Sequence, residues 1–267
     1  IGYGADHTNA DGIAVTTVVV CRSTDGGATY TCTLVDTTPG NDKWSMATGP
    51  DPLNPLQENI YIAWTKNIAD RQGIVISRST DNGATFSAPL VINDAASNNN
   101  LFADPSVGPN GELYVIWERV DSGNIFFDIS TDGGLTFGVD TLIASSTTGF
   151  KAPIPAQPDR GVFVGPNLDV DRSGGTYDGS LYLIYTDKGP GGGDDIDIFV
   201  QWSFDNGANW NGPVTVNDDG GTNSQFLPYL DVDQVTGTVA AVWYDARNDV
   251  NNVDVEVFMS ISTDGGQ

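Results

Sequence analysis

Three stretches of the chain carry the residue types that bind hard cations. Asp187, Asp194, Asp195 and Asp197 fall within "DKGPGGGDDID" (187–197), and Asp245, Asp249, Asn251 and Asp254 within "DARNDVNNVD" (245–254). The third, "DVDRSGGTYDG" (169–179), sets Asp169, Asp171 and Ser173 at alternate positions. Ca²⁺ takes six to eight oxygen ligands, many of them Asp carboxylates, so Ca²⁺ is the cofactor these stretches suggest. The third stretch matches the start of a D-x-D-x-[DS]-G calcium loop but has Ser180, not Glu, at the twelfth position. "LDVDQVTG" (230–237) aligns with it as an ordinary strand and turn. His7 is the one histidine, which disfavours transition-metal sites and Ser-His-Asp chemistry.

The same acids have a second reading. There are 35 acidic residues against 11 basic ones, a net charge of −24, and Asp supplies 31 of the acids. Asp in such excess over Glu fits turns, where its carboxylate caps backbone amides. It also fits an acidic surface that keeps the chain soluble. Nucleic acid and anionic membranes are disfavoured as partners, because phosphate binding needs basic patches. No run of apolar residues is long enough for a transmembrane helix, so membrane insertion is not expected.

The elements that would position these loops follow from a repeat. "STDGGATY" (23–30), "STDNGATF" (79–86), "STDGGLTF" (130–137) and "SFDNGANW" (203–210) are followed by "STDGG" (262–266). Their starts are separated by 56, 51, 73 and 59 residues, near the period of a four-stranded propeller blade with long loops. A strand precedes each copy, as in "GIVISR" and "IDIFVQW". Upstream of four copies runs another, with Trp64, Trp117, Tyr185 and Trp243 in one column. A third lies further upstream ("DPSVGPNG", "PYLDVDQVTG") and a fourth follows the repeat ("SAPLVIN", "NGPVTVN"). The order strand, turn, strand, loop, strand, repeat, strand is an antiparallel meander, and no segment has helical periodicity.

Within each copy the residue types suit a pinned hairpin turn. Asp25, Asp81, Asp132, Asp205 and Asp264 can accept bonds from turn amides, and the second glycine suits a positive φ. The terminal aromatic is expected to return to the core. Cys21 and Cys32 flank the first copy and would face each other across its hairpin, so a disulfide is expected, with an oxidising, extracellular or cell-surface location.

S-x-D-[GN]-G-x-[TN]-[YFW] resembles the Asp-box, or bacterial neuraminidase repeat, of the sialidase-like β-propellers. Four full copies and a partial one cover most of the chain. The resemblance implies an all-β fold over 1–267. It is a β-propeller of four-stranded antiparallel blades, six in the whole protein. Three blades are complete here, and the first and last are partial. The ring is thus partial, or closes irregularly. Such a propeller places its repeats on the face opposite the functional loops. A sialidase would need three arginines on the substrate carboxylate, a Tyr/Glu nucleophile pair and an Asp acid/base. Arg22 and Arg78 directly precede repeats. Arg119, Arg160 and Arg247 are therefore the candidates, with Arg71 next, beside Glu118, Tyr244 and Asp245. The family's Arg-Ile-Pro motif is absent. The competing expectation is a non-catalytic module for glycan binding, adhesion or surface assembly, whose partner is a glycan, a surface polymer or another protein chain. Phe102, Phe163, Phe226 and Tyr229 are its candidates for stacking on sugar rings, or else core residues.

Overall fold

The computed structural model describes residues 2–8, 14–68, 71–94, 99–189 and 195–266. Every regular element among them is a β-strand, and no helix among them is long and apolar enough to cross a membrane. The chain divides into two compact units, Ile1–Trp117 with Phe127–Thr141, and Glu118–Phe126 with Leu142–Gln267.

The strands form successive antiparallel sheets. The first holds β1 (Gly2–Thr8), β2 (Ala14–Arg22) and β3 (Thr31–Asp36). The second holds β4 (Asn41–Pro50), β5 (Glu58–Ile68), β6 (Arg71–Ser79) and β7 (Leu90–Val91). The third holds β8 (Asn100–Val107), β9 (Leu113–Arg119), β10 (Asn124–Ser130) and β11 (Thr141–Ser145). A hairpin of β12 (Ala152–Ile154) and β13 (Gln157–Val162) comes next. The fourth sheet is β14 (Asn167–Val170), β15 (Leu181–Lys188), β16 (Ile196–Ser203) and β17 (Asn211–Thr215). The fifth is β18 (Gln225–Val232), β19 (Val239–Asp245) and β20 (Glu256–Ser262).

Among the described residues three sheets have four strands and two have three. Two details correct the sequence reading. The first sheet starts one strand earlier, at β1, and the β12–β13 hairpin adds two strands between the third and fourth sheets that the meander does not contain.

Alternation explains the packing. Trp64, Trp117, Tyr185 and Trp243 are all buried. In the second unit, Tyr182 and Ile184 of β15 pack with Val200 of β16 against Leu230, Val239 and Trp243 of the fifth sheet. Burying such side chains contributes roughly 1.5–3 kcal/mol each. Cys21 and Cys32 stand opposite each other in the β2–β3 register and are joined by a disulfide, as the hairpin required.

The repeats form one recurring turn. In the second copy Ser79 Oγ accepts from the Gly83 amide (2.8 Å) and donates to Asp81 Oδ1 (2.8 Å). Asp81 Oδ1 accepts from the Thr85 amide (2.9 Å), and its Oδ2 from the Thr85 hydroxyl (2.6 Å). The same net closes on Asp25, Asp132 and Asp205, and the Ser262–Asp264 half of it closes in the last copy. The Thr hydrogen bonds hold Asp25 and Asp81 at about 2. Both central residues of the turn have positive φ, for example Asn82 at 58° and Gly83 at 77°. This explains why the first of the pair is Gly or Asn, the two residues that visit that region most readily. The terminal aromatic behaves less uniformly than expected. Phe86 packs on the cluster of Val18, Ile62 and Trp64, whereas Tyr30 is half-exposed and folds over Gly27.

Arginines link successive turns in the first unit. Arg22 Nη1 donates to the Asn82 carbonyl (3.0 Å), and Arg78 Nη1 to the Gly133 carbonyl (2.8 Å).

Candidate functional site

The loop end of the second unit holds most of the sequence-derived candidates. Here β15 delivers Asp187, β16 begins just past Asp195 with Asp197, and β19 ends on Tyr244 and Asp245. A buried polar network joins Asp197 to Asp245. Asp245 accepts from Gln225 Nε2 (3.1 Å), the Trp243 indole (2.8 Å), the Arg247 amide (2.8 Å) and Arg247 Nε (2.9 Å). Asn217 Nδ2 donates to Asp197 Oδ1 (2.8 Å), Asp219 Oδ1 (3.0 Å) and Gln225 Oε1 (3.3 Å).

Arg247 is the cation of this network. Its Nη1 lies 2.6 Å from Asp218 Oδ1, and its Nη2 lies 2.7 Å from Asp245 Oδ2 and 3.5 Å from Asp219 Oδ1. Burial opposes the charge on Asp245, but bonds from Arg247 and Trp243 outweigh it and hold the carboxyl below its usual range. Asp197 has no such cation. Burial raises it, and the nearby Asp195, Asp219 and Asp245 add to the rise. One guanidinium is thus shared among three carboxylates.

The three candidate arginines each lie over a different aromatic ring. Arg119 sits 4.4 Å from the centre of Phe126, Arg160 5.8 Å from Phe163, and Arg247 4.2 Å from Phe258. Cation–π contact of this kind fixes where a guanidinium points. Arg160 is exposed on β13, while Ile154 and Val162 of the hairpin pack against Ile196 and Phe226. Arg71 begins β6 in the first unit. Glu118 is fully buried, and burial pushes its carboxyl up to about 7, only partly offset by the Gly165 amide. Neither carboxyl oxygen makes a well-formed hydrogen bond among the described residues. Tyr244 is 43% exposed, with its ring 5.8 Å from that of Phe226.

The candidate calcium ligands are spread over separate tasks. Asp187 Oδ1 caps the 146–147 loop, accepting from the Thr147 amide (2.7 Å) and the Ser146 hydroxyl (3.0 Å). Asp249 accepts from the Val253 amide (2.8 Å) and the Asp254 amide (3.0 Å) of its own loop. Asp169 accepts from the Val232 amide of β18 (2.8 Å), whereas Asp171 caps the Ser173 amide (2.7 Å). Asp195 and Asp197 both crowd Gly189. Asp194 lies outside the described residues. Among the described residues no three His, Cys, Asp or Glu side chains gather as a metal-holding group.

Of the candidate stacking residues, Phe163 and Phe226 are buried and Tyr229 is 59% exposed. Lys43 stands 5.9 Å from the Phe102 ring. Sequence reasoning missed Asn217, Asp218, Asp219 and Gln225 as members of the network. A signal existed: "ND" follows the fourth strand at both 93–94 and 217–218. Asn93 Oδ1 accepts from the Ile74 amide (2.7 Å), as Asn217 Oδ1 does from the Ile198 amide (2.9 Å).

No protein-family model matches the chain, and no curated protein is significantly similar to it. Its likenesses are to solved structures. A protein of unknown function from Dyadobacter fermentans shares 13% identity at a TM-score of 0.57, over 85% of this chain and 66% of that one. A GH93 α-L-arabinofuranosidase of Fusarium graminearum, solved with arabinobiose, shares 14% at 0.57, over 83% of this chain and 63% of that one. NanB sialidase from Streptococcus pneumoniae shares 9% at 0.52, over 96% of this chain and 40% of that one. The chain therefore spans from two fifths to about two thirds of the length of these structures. At such identities the likeness shows the fold, which is a β-propeller of antiparallel blades.

Proposed function

We propose that the chain is a glycan-binding propeller module that works outside the cell, in adhesion or surface assembly, without turning its ligand over. The observation that carries this reading is the state of Arg247. Three carboxylates surround its guanidinium, so it is a structural cation and not one held open for an anionic substrate. What remains at the loop end is half-exposed Tyr244, whose ring lies 5.8 Å from that of Phe226 and suits the apolar face of a neutral sugar. The arabinofuranosidase solved with arabinobiose and the sialidase support a glycan as ligand. The Cys21–Cys32 disulfide supports an oxidising compartment.

One observation favours a second reading, a sialidase-type or related glycoside hydrolase. Glu118 is a buried carboxyl raised to about 7, in the range a general acid needs. A glycan array followed by calorimetry separates the two. Binding of a neutral oligosaccharide that Tyr244→Ala weakens at least about tenfold supports the module. Steady release of fluorophore from a sialoside or an arabinofuranoside, abolished by Glu118→Gln, would replace it with the hydrolase.

A further inference from the structure

Tyr61 in β5 and Tyr182 in β15 hold the same place in their sheets. Each stands one residue after the partner of a repeat serine: Ile60 pairs with Ser79, and Leu181 with Ser203. Both tyrosines are fully buried. An aspartate directly follows the preceding strand in both sheets, Asp51 after β4 and Asp171 after β14. The second sheet satisfies this pair from within. Asn59 Nδ2 donates to Asp51 Oδ2 (2.8 Å) and to the Tyr61 hydroxyl oxygen (2.9 Å), so one amide bridges the two. Arg78 stands opposite Tyr61 in the register. Burial opposes the charge on Asp51, but Asn59, two turn amides and the positive charge of Arg78 hold the carboxyl below its usual range.

The fourth sheet keeps the aspartate and the tyrosine but exchanges both partners. Ser180 stands in the place of Asn59, and Trp202 faces Tyr182 where Arg78 faces Tyr61. Asp171 and Tyr182 have no exposed surface. Neither Asp171 Oδ2 nor the Tyr182 hydroxyl makes a well-formed hydrogen bond among the described residues, and Asp171 forms no ion pair among them. Burial pushes the Tyr182 phenol up to about 12; Ser180 beside it opposes the rise, while Asp171, Tyr177 and Asp264 add to it. The phenol is therefore a neutral oxygen at ordinary pH. A buried carboxylate beside it is costly unless a positive charge or donors compensate it. Serine is also shorter than asparagine by most of the carboxamide, the group that bridges in the second sheet. Ser173 Oγ is a further oxygen nearby, since a Cβ added at Gly237 would stand 2.7 Å from Asp171 Oδ2 and 3.0 Å from Ser173 Oγ.

We propose that Asp171, Ser180 and Tyr182 hold a monovalent cation of potassium size, at the point that the Asn59 amide occupies in the second sheet. All three side chains offer oxygen, the ligand atom of hard cations. One carboxylate balances one charge. The 2.8 and 2.9 Å contacts of the bridging amide exceed the about 2.3–2.6 Å of Ca²⁺–oxygen contacts, so this spacing suits a larger ion. The net charge of −24 draws cations of every kind toward the chain. In the fourth sheet the ion would do what Asn59 and Arg78 do together in the second, which is to neutralise the aspartate and tie its turn to the tyrosine of the next strand.

Melting curves of the whole chain in KCl and in tetramethylammonium chloride, at equal ionic strength, test the proposal, because the organic cation is too large for a buried site. The native protein should melt about 3 °C or more higher in KCl, with a saturable dependence on concentration. Ser180→Asn supplies the bridging amide, so it should melt alike in the two salts. Asp171→Asn removes the charge and should behave likewise. Each variant is first shown by its melting curve to be folded, and Ser180→Asn alone suffices where Asp171→Asn does not fold. Thallium(I), which matches potassium in size and scatters X-rays anomalously, should give a peak between Asp171 and Tyr182 in crystals of the native protein and none in Ser180→Asn. Equal melting of the native protein in the two salts overturns the proposal. So does a shift that the folded variants keep, or a thallium-soaked crystal in which a water alone bridges Asp171 and Tyr182. A saturable rise with CaCl₂ and none with KCl assigns the site to a divalent ion and overturns it as well.

Discussion

Arg247 Nη2 lies 2.7 Å from Asp245 Oδ2, and the two side chains lie two residues apart at the end of one strand. Asp245 is buried, so its charge depends on this neighbour. Removing one partner of such a pair leaves an uncompensated charge, which costs about 3 kcal/mol or more. Arg247→Ala should therefore lower the urea midpoint by a matching amount. Adding Asp245→Asn should recover part of the loss, because the lone carboxylate is then gone. The sign with pH follows from the lowered Asp245. Its contribution is present above the ordinary Asp range and is lost as pH falls through the folded value.

Glu118 should give the opposite slope. Its folded carboxyl stands at about 7 against an ordinary 4.5, so the folded state holds its proton longer. Stability is full below about pH 4.5, falls as pH rises toward 7, and is level above that. The difference amounts to roughly 3 kcal/mol. Urea unfolding at pH 5 and pH 8 should show this loss in the native protein and not in Glu118→Gln. An equal loss in both proteins would assign the slope to other groups.

The repeat turn makes a sharper demand on glycine than on its other residues. Gly134 has φ +78°, and an added Cβ would stand 3.2 Å from both Leu113 Cδ2 and Tyr61 Cε1. Gly134→Ala should cost about 1–2 kcal/mol. Gly149→Ala is the control, since a Cβ there meets nothing within 4 Å and should change stability by less than about 0.5 kcal/mol. Thermal melts of the two variants test the difference.

Reduction of Cys21–Cys32 opens a loop with a sequence separation of 11. Loop entropy puts the cost at about 3 kcal/mol. A chemical melt with and without dithiothreitol measures it, and the Cys21→Ser, Cys32→Ser double variant should match the reduced protein.

The repeats made the sheets legible. Each copy marks the end of one strand, and the Trp64 column marks its neighbour, so the meander could be read from sequence. Three elements could not. In β4 the register shifts between Asp42 and Ser45, with Lys43 at φ 51°, and this breaks the alternation that would have signalled a strand. In β12–β13, Pro153, Pro155 and Pro158 read as loop, yet they fit a short bulged hairpin. The glycines of "GYGADHT" hid β1 in the same way. The network at the loop end was half legible. Asp245 and Arg247 are adjacent enough to be seen together, but Asp218 meets Arg247 from 29 residues away. No local pattern encodes that separation, which brings the exposed Asp218 carboxylate to the Arg247 guanidinium.

Arg22 reaches the Asn82 carbonyl and Arg78 the Gly133 carbonyl, and these bonds span turns whose starts lie 56 and 51 residues apart. The clip gauges a distance in space and is indifferent to how much chain lies between. Length added to an interval must therefore emerge at the opposite end of the strands. The first unit thus has one end where chain length is held constant and one where it is free to vary. Insertions, whether by evolution or by grafting, should be tolerated only at the latter.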